Sequence, residues 1–232
     1  MSASFLSAVA QRKVGMQRAL YVPELTDGNL DVITKGLIQV WYSTLTLQTL
    51  EREIEAARPK PQRLACLSCP SVYFHLNEAS RAAHGATNFE FDRRWADDPN
   101  FVFYDCYAPA VVDPSLHGQF DFLIADPPSL QIPVLENYAT TIRLLAAPGA
   151  RILFSTFDSF QPTMGELLGL SPQRFKPALP GLGYAESGRW CFYANFACAA
   201  LNVPNPELEH AGATDAADEG WAEGFHTPQH EI

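Results

Sequence analysis

The chain lacks what a membrane-spanning or disulfide-stapled protein needs. No apolar run reaches the roughly 20 residues of a spanning helix. The five cysteines are odd in number and irregularly spaced, which does not read as a disulfide framework. Cys66-Leu67-Ser68-Cys69 has the spacing of a zinc-ligand pair. No second Cys pair or paired His follows at a matching distance, and Cys66 falls inside an apolar strand pattern. Both therefore read as structural thiols, and no metal is expected. Reduced cysteines suit a cytoplasmic location. Bases are scarce as well: 16 Lys and Arg stand against 26 acids, for a formal charge of −10 and a pI near 5.0. That balance argues against a long phosphate-tracking surface and suits a basic partner. Residues 203–232 contain no Lys or Arg and seven acids, the composition of a disordered acidic tail. Without them the balance is 19 acids to 16 bases. At the other end there is no acid before Glu24. The short apolar patch from Phe5 to Ala10 is followed, not preceded, by Gln11-Arg12-Lys13, the wrong order for a secretory signal. A plain cytoplasmic segment is preferred there over a mitochondrial presequence.

What is present is an alternation of strand and helix. Ser43 or Thr44 caps a helix carrying Leu47, Leu50, Ile54 and Ala57 at helical spacing, which ends before Pro59. Trp41 and Tyr42 just outside it read either as a ligand lid or as an aromatic staple under the helix. Arg63–Cys69 reads as a first strand, and Pro70 and Ser71 open a helix that ends at Gly85. Asn88–Asp92, Phe101–Asp105 and Phe120–Ala125 follow as strands. A helix bears Ile132, Leu135, Ala139, Ile142 and Leu145 on one face. Pro148-Gly149 turns the chain into a fifth strand, Arg151–Thr156, and a short helix covers Met164–Leu168. Residues 171–188 form a long loop or hairpin before a last strand, Trp190–Phe196. The pattern predicts an α/β fold, doubly wound around a mostly parallel sheet, with the late strands antiparallel at one edge. It divides the chain into an N-terminal segment 1–36, a domain 37–202 and a tail 203–232.

Phe120-Asp121-Phe122-Leu123-Ile124-Ala125 is short and apolar enough for a strand buried on both faces. Asp126 then stands at its carboxyl end, where open α/β sheets bind ligands. Pro127 and Pro128 have no N–H and fixed φ, so the chain leaves stiffly with carbonyl oxygens unspent. A carboxylate beside such carbonyls can hold an amino group by its hydrogens and aim its lone pair. Asp92 and Asp105 also close predicted strands at that rim. A nucleoside fits three acids there, with ribose on one, an adenine amino group on another and an amine substrate at the third. The turn after the first strand, Ser68-Cys69-Pro70-Ser71, has no glycine. That disfavours a pyrophosphate-bearing dinucleotide and favours S-adenosylmethionine, which has no phosphate.

Several segments carry a likeness. They are Gln39-Val40-Trp41-Tyr42-Ser43, Ala65 through Tyr73 with Ser68-Cys69-Pro70-Ser71 at its centre, Phe89 through Trp95, Phe101 through Asp105, Phe122 through Pro128, and Arg189 through Phe196. In register over about residues 37–197, the chain resembles the elongation factor 1-alpha lysine methyltransferases first labelled N6-adenine DNA methyltransferases. The resemblance implies a class I methyltransferase (Rossmann-like) fold, with a seven-stranded sheet and an antiparallel edge strand. It implies S-adenosylmethionine as donor and a lysine of elongation factor 1-alpha as acceptor; the missing apolar run argues against a membrane partner, and the acidic balance argues against nucleic acid as the direct substrate. By position, Ser68, Pro70 and Ser71 sit in the cofactor turn, Asp92 takes the ribose and Asp105 the adenine end. Trp41, Tyr42 and Ser43 close over the cofactor, and Asp126 with the Pro127 carbonyl holds the acceptor amine.

One position departs from the family pattern, which places Phe or Tyr after Asp-Pro-Pro. Here it is Ser129. A cation–π contact with the acceptor, worth roughly 0.5–2 kcal/mol, is lost unless Tyr184 or another loop aromatic replaces it. Two other readings therefore stand beside lysine methylation: an N6-adenine nucleic-acid methyltransferase, and a scaffold that binds the cofactor without transferring the methyl group.

Overall fold

The computed structural model describes residues 41–57, 59–128, 130–182 and 187–209. The expected N-terminal segment 1–36, Ser129, Tyr184 and the tail beyond Glu209 lie outside the described residues. The first element is helix α1, Thr44–Ala56, with Ser43 as its N-cap. The Ser43 hydroxyl accepts from the Thr46 N–H at 3.1 Å, satisfying a donor that the first helical turn leaves free. Leu47, Leu50 and Ile54 form its buried face.

Strand β1 is Leu64–Leu67, and Pro70 opens helix α2, Pro70–His75. The sequence predicts one helix from here to Gly85, but the structure has two. Leu76 is extended, and Asn77 caps a separate helix α3, Glu78–Ala83, by accepting from Ser80 N–H at 2.9 Å. Ala79 and Ala83, which a continuous helix would set on one face with Val72 and Leu76, are exposed. The cap chemistry of Asn77 outweighs a weak small-residue periodicity. Gly85 then turns at φ +48°, where a Cβ would meet the Gln62 carbonyl oxygen at 2.6 Å.

Strands β2, Thr87–Glu90, β3, Phe101–Phe103, and β4, Phe120–Ala125, follow. Helix α4, Ile132–Leu145, leads directly into β5, Ala146–Phe157. The Pro148-Gly149 turn is absorbed into β5 as an irregularity. Phe120 pairs with Ala146 and Phe122 with Arg151, and Gly149 adopts φ +77°. Helix α5, Gln161–Leu168, strand β6, Ser171–Pro172, strand β7, Trp190–Ala194, and helix α6, Pro206–Glu209, follow among the described residues.

The seven strands lie in the order β3-β2-β1-β4-β5-β7-β6. The pairs from β3 across to β5 are parallel, and β7 runs antiparallel to β5 with only two-residue β6 outside it. Each face has its own core. Phe89, Leu123 and Phe154 pack under Leu135, Tyr138, Ile142 and Met164. Cys66, Ile124, Leu153 and Phe192 pack under Leu47, Leu50, Ile54, Val72 and Tyr73. This is the doubly wound, mostly parallel sheet that the strand–helix alternation predicts, with the seven strands and antiparallel edge that the resemblance implies. Among the described residues no helix is long and apolar enough to cross a membrane.

Packing continues past residue 202, the expected end of the domain. Asn205 is buried and donates through Nδ2 to the Lys176 carbonyl at 3.0 Å. Glu53 accepts the N–H groups of Ala199, Ala200 and Leu201 at 3.0, 2.6 and 3.3 Å, which straps this segment onto α1.

Candidate active site

The carboxyl ends of β1, β2 and β4 meet at one rim. Ser68 N–H donates to Phe89 O at 2.8 Å, and Asp126 N–H donates to Leu67 O at 3.1 Å. Ser68 is the only described non-glycine residue with positive φ, at 52°. A left-handed conformation costs an L-residue roughly 1–2 kcal/mol, and the turn has no glycine to avoid that cost. Tyr138 from α4 holds the strained residue: its hydroxyl donates to Ser68 Oγ at 2.5 Å. Pro70 and Ser71 are buried at the start of α2, immediately after this turn.

The acid at the last position of β2 is Glu90, not Asp92, at which the apolar pattern would end the strand. Glu90 Oε1 accepts from Asp92 N–H at 3.1 Å. Burial pushes its pKa up to about 7, partly offset by backbone N–H donors. Asp92 is spent elsewhere. It caps the 3₁₀ turn Arg93–Trp95 by accepting from Arg94 N–H at 2.9 Å, and its other oxygen pairs with the Arg94 guanidinium. Asp105 lies two residues past β3, half-buried, and accepts from Tyr107 N–H at 2.9 Å. A signal for Glu90 was present in Phe89-Glu90-Phe91-Asp92: Glu90 has the same strand parity as Asn88, and both are buried.

Asp126 keeps a strip of exposed surface. Its carboxyl nonetheless lies deep enough that burial is the main cause raising its pKa to about 7. The Tyr42 and Ser155 hydroxyls favour the charged form, and the Glu90 charge opposes it. Pro127 is buried behind it and Pro128 exposed. Tyr42, 1% exposed, packs its ring on Phe192 with centroids 5.6 Å apart. Although Tyr42 and Ser155 approach Asp126, neither hydroxyl completes a hydrogen bond of ordinary geometry. A buried hydroxyl left this way costs about 1–3 kcal/mol, so the pocket has unmet hydrogen-bonding capacity.

The three residues of the Trp-Tyr-Ser segment thus separate in role. Trp41 is half-buried against Trp95, ring centroids 6.5 Å apart, and Trp95 packs on Phe74 at 4.7 Å. Tyr42 points at Asp126. Ser43 is committed to structure: its N–H donates to Ala178 O at 2.9 Å, and its hydroxyl donates to Glu207 Oε2 at 2.5 Å. Cys66 and Cys69 are buried thiols, with Cys69 Sγ donating to Ile124 O at 3.5 Å. An open cleft of about 340 Å³ lined by Glu53, Ala57, Arg151 and Phe196 lies at the opposite end of the strands and shares no residue with this rim.

Carboxylates at 90, 105 and 126 therefore surround one strand-end rim beside two buried, unpartnered hydroxyls. Residues 34–198 match the family model described as probable N6-adenine methyltransferase. The chain belongs to that family. It is 35% identical over 153 residues to EEF1A lysine methyltransferase 1 of Bos taurus, covering 64% of this chain and 67% of that one. To the Homo sapiens protein of the same name it is 32% identical over 181 residues, 76% of this chain and 84% of that one. Among solved structures, the ribosomal protein L11 methylase of Lactobacillus delbrueckii subsp. bulgaricus overlaps 67% of this chain and 79% of its own at 16% identity, with a TM-score of 0.42. That overlap is too loose to add to what the strand order gives.

Proposed function

We propose that this family member is an S-adenosylmethionine-dependent protein-lysine N-methyltransferase, and that its acceptor is a lysine of elongation factor 1-alpha. The observation carrying the reading is Asp126, a half-buried carboxylate at the carboxyl end of β4 followed by two prolines. The names of the curated relatives support both the reaction class and the acceptor.

The residues present suit this donor. Glu90 and Asp105 offer carboxylates at the ends of neighbouring strands, fitting a ligand that carries hydroxyl and amino donors and a positive sulfonium. The same rim repels a phosphate. Glu90 is the residue we assign to the ribose diol and Asp105 to the adenine end, with Ser68, Pro70 and Ser71 forming the turn beneath. Trp41 closes the rim from the side of α1. When bound, the donor supplies an electrophilic methyl group.

A lysine side chain with an ordinary pKa near 10.4 is protonated at neutral pH, so it must lose a proton before its lone pair is available. Asp126, poised near neutrality, takes that proton and passes it to water. The Pro127 carbonyl accepts a second hydrogen of the amine. The rest of the gain is alignment of the nitrogen, since in-line displacement rewards positioning.

The test is mass spectrometry of elongation factor 1-alpha after incubation with the full chain and S-adenosylmethionine. A mass gain of one or more methyl groups on a lysine is expected. With Asp126→Ala the gain falls at least a hundredfold while cofactor affinity by calorimetry holds within a few-fold. Cofactor binding without labelled product on any protein or nucleic acid would overturn the reading in favour of a scaffold, and label on nucleic acid alone would make the chain an adenine methyltransferase.

A further inference from the structure

We propose that Tyr42 and Ser155 complete, with Asp126, the seat that holds the acceptor nitrogen, so that Tyr42 serves the acceptor rather than closing over the cofactor. This rests on the lysine-methyltransferase reading above.

Three placements converge on it. Ala125 pairs with Phe154 across β4 and β5, so the next residues along, Asp126 and Ser155, stand side by side at the strand ends. Ser155 in turn pairs with Phe192 of β7. The Phe192 ring packs on the Tyr42 ring, which brings that phenol over the same point. Tyr42 and Ser155 are both almost fully buried, and both hydroxyls are without an ordinary partner. Thr156 also has an unpartnered hydroxyl, but it shares strand parity with Phe154, whose side chain belongs to the opposite face of the sheet.

The backbone around Tyr42 is fixed independently of any ligand. Ala178 N–H donates to Thr46 Oγ1 at 3.1 Å, and Ser43 is held by Ala178 and Glu207. The phenol therefore meets the pocket from a braced position. A core tyrosine with no ligand to serve would be expected to find its hydroxyl a partner.

A hydroxyl has one hydrogen to donate and lone pairs to accept. Tyr42 and Ser155 can each donate to the ionised Asp126 carboxylate while their lone pairs accept hydrogens of the incoming nitrogen. One proton of the ammonium passes to Asp126 and on to water. The two remaining N–H groups are held, one by Tyr42 Oη and one by Ser155 Oγ or the Pro127 carbonyl, and the lone pair is left directed at the methyl carbon. The N–C bond forms, the C–S bond breaks, and its electron pair stays on sulfur. The other titratable groups facing Asp126 and Tyr42 are Glu90 and Cys69, neither of which supplies a positive charge.

The test uses Tyr42→Phe and Ser155→Ala in the full chain beside wild type and Asp126→Ala. Tyr42→Phe should lower kcat about 10- to 100-fold and Ser155→Ala about 3- to 30-fold, each with cofactor affinity by calorimetry within about twofold of wild type. A second readout needs no turnover. In cofactor-free protein, carbon-detected NMR of the Asp126 carboxyl should show its titration moving upward in both variants, because each removes a nearby hydroxyl that favours the ionised form. Tyr42→Phe keeps the ring on Phe192, so at pH 5, where Asp126 is protonated, its melting temperature should stay close to wild type. Wild-type kcat and an unmoved Asp126 titration in both variants would overturn the proposal while leaving lysine methylation intact. A tenfold weaker cofactor affinity in Tyr42→Phe with kcat unchanged at saturation would return Tyr42 to the cofactor. If wild type transfers no methyl to protein, the underlying reading fails instead.

Discussion

The Ser43 hydroxyl donates to the Glu207 carboxylate at 2.5 Å, joining the N-cap of α1 to α6 across 164 positions of sequence. The bond ends one residue from Tyr42, so the last described helix braces the wall of the acceptor pocket. Asn205 supports it by accepting from Glu207 N–H at 3.0 Å.

Glu207→Ala should therefore lower stability by about 1.5–3 kcal/mol, the range for loss of a hydrogen bond to a charged group. It should also lower methyl transfer at least threefold well below the melting temperature. Glu207→Gln, which keeps an acceptor oxygen, should recover part of both. Urea unfolding and initial rates measured on the same preparations check this. A double-mutant cycle with Ser43→Ala should give a coupling of about 0.5 kcal/mol or more.

Ser68 and Tyr138 make a second pair whose worth can be dissected. Ser68→Gly relieves the positive φ, a gain of up to about 1 kcal/mol, but strips the Tyr138 hydroxyl of its acceptor, a loss of about 1–3 kcal/mol. The single variant should come out destabilised, and Ser68→Gly with Tyr138→Phe should be at least as stable as wild type. Chemical denaturation of the three variants decides it.

Glu90 and Asp92 should separate binding from folding. Glu90→Gln should weaken S-adenosylmethionine binding at least tenfold by calorimetry. Asp92→Asn gives up the Arg94 pair and should cost stability, about 1 kcal/mol for a partner that is half-exposed, with a smaller effect on binding. The reverse pattern would return the ribose to Asp92.

Burial holds the pKa values of Glu90 and Asp126 near 7, above the ordinary carboxylate values near 4 of the unfolded chain. The folded state thus retains protons that the unfolded state has already released. Stability from these two groups is full below about pH 4, falls as pH rises toward 7, and levels off beyond. Asp126→Asn should flatten part of that fall, making the variant on the order of 1–3 kcal/mol more stable than wild type at pH 8 and nearly equal to it at pH 4. Melting curves across pH test the sign.

The sheet was readable from the sequence because strands buried on both faces are continuous apolar runs. Phe120–Ala125 is bounded by Gln119 and Asp126 and matches its strand end for end. Helix α1 was equally plain, since Ser43 announces the cap and Leu47, Leu50 and Ile54 mark the face. Less legible was anything decided by a side chain reaching across the chain. Asn77 splits a helix by taking one backbone N–H. Glu90 was hidden one turn of reasoning behind Asp92, because an acid inside a strand looks like an exposed residue until its neighbours are known. Nothing in Leu153-Phe154-Ser155-Thr156 marks Ser155, and only pairing between β4 and β5 sets it beside Asp126. The Glu207 contact joins segments 164 positions apart, a distance over which periodicity carries no information.

Anchoring α6 beside the acceptor pocket fixes where everything after Glu209 sets out from. Residues 210–232 carry five further acids, Asp215, Asp218, Glu219, Glu223 and Glu231. No lysine or arginine follows to neutralise them. By composition that segment attracts a basic protein and repels phosphate. Encounter with a basic protein should accelerate at low ionic strength and lose that advantage once salt shortens the screening length below about 10 Å.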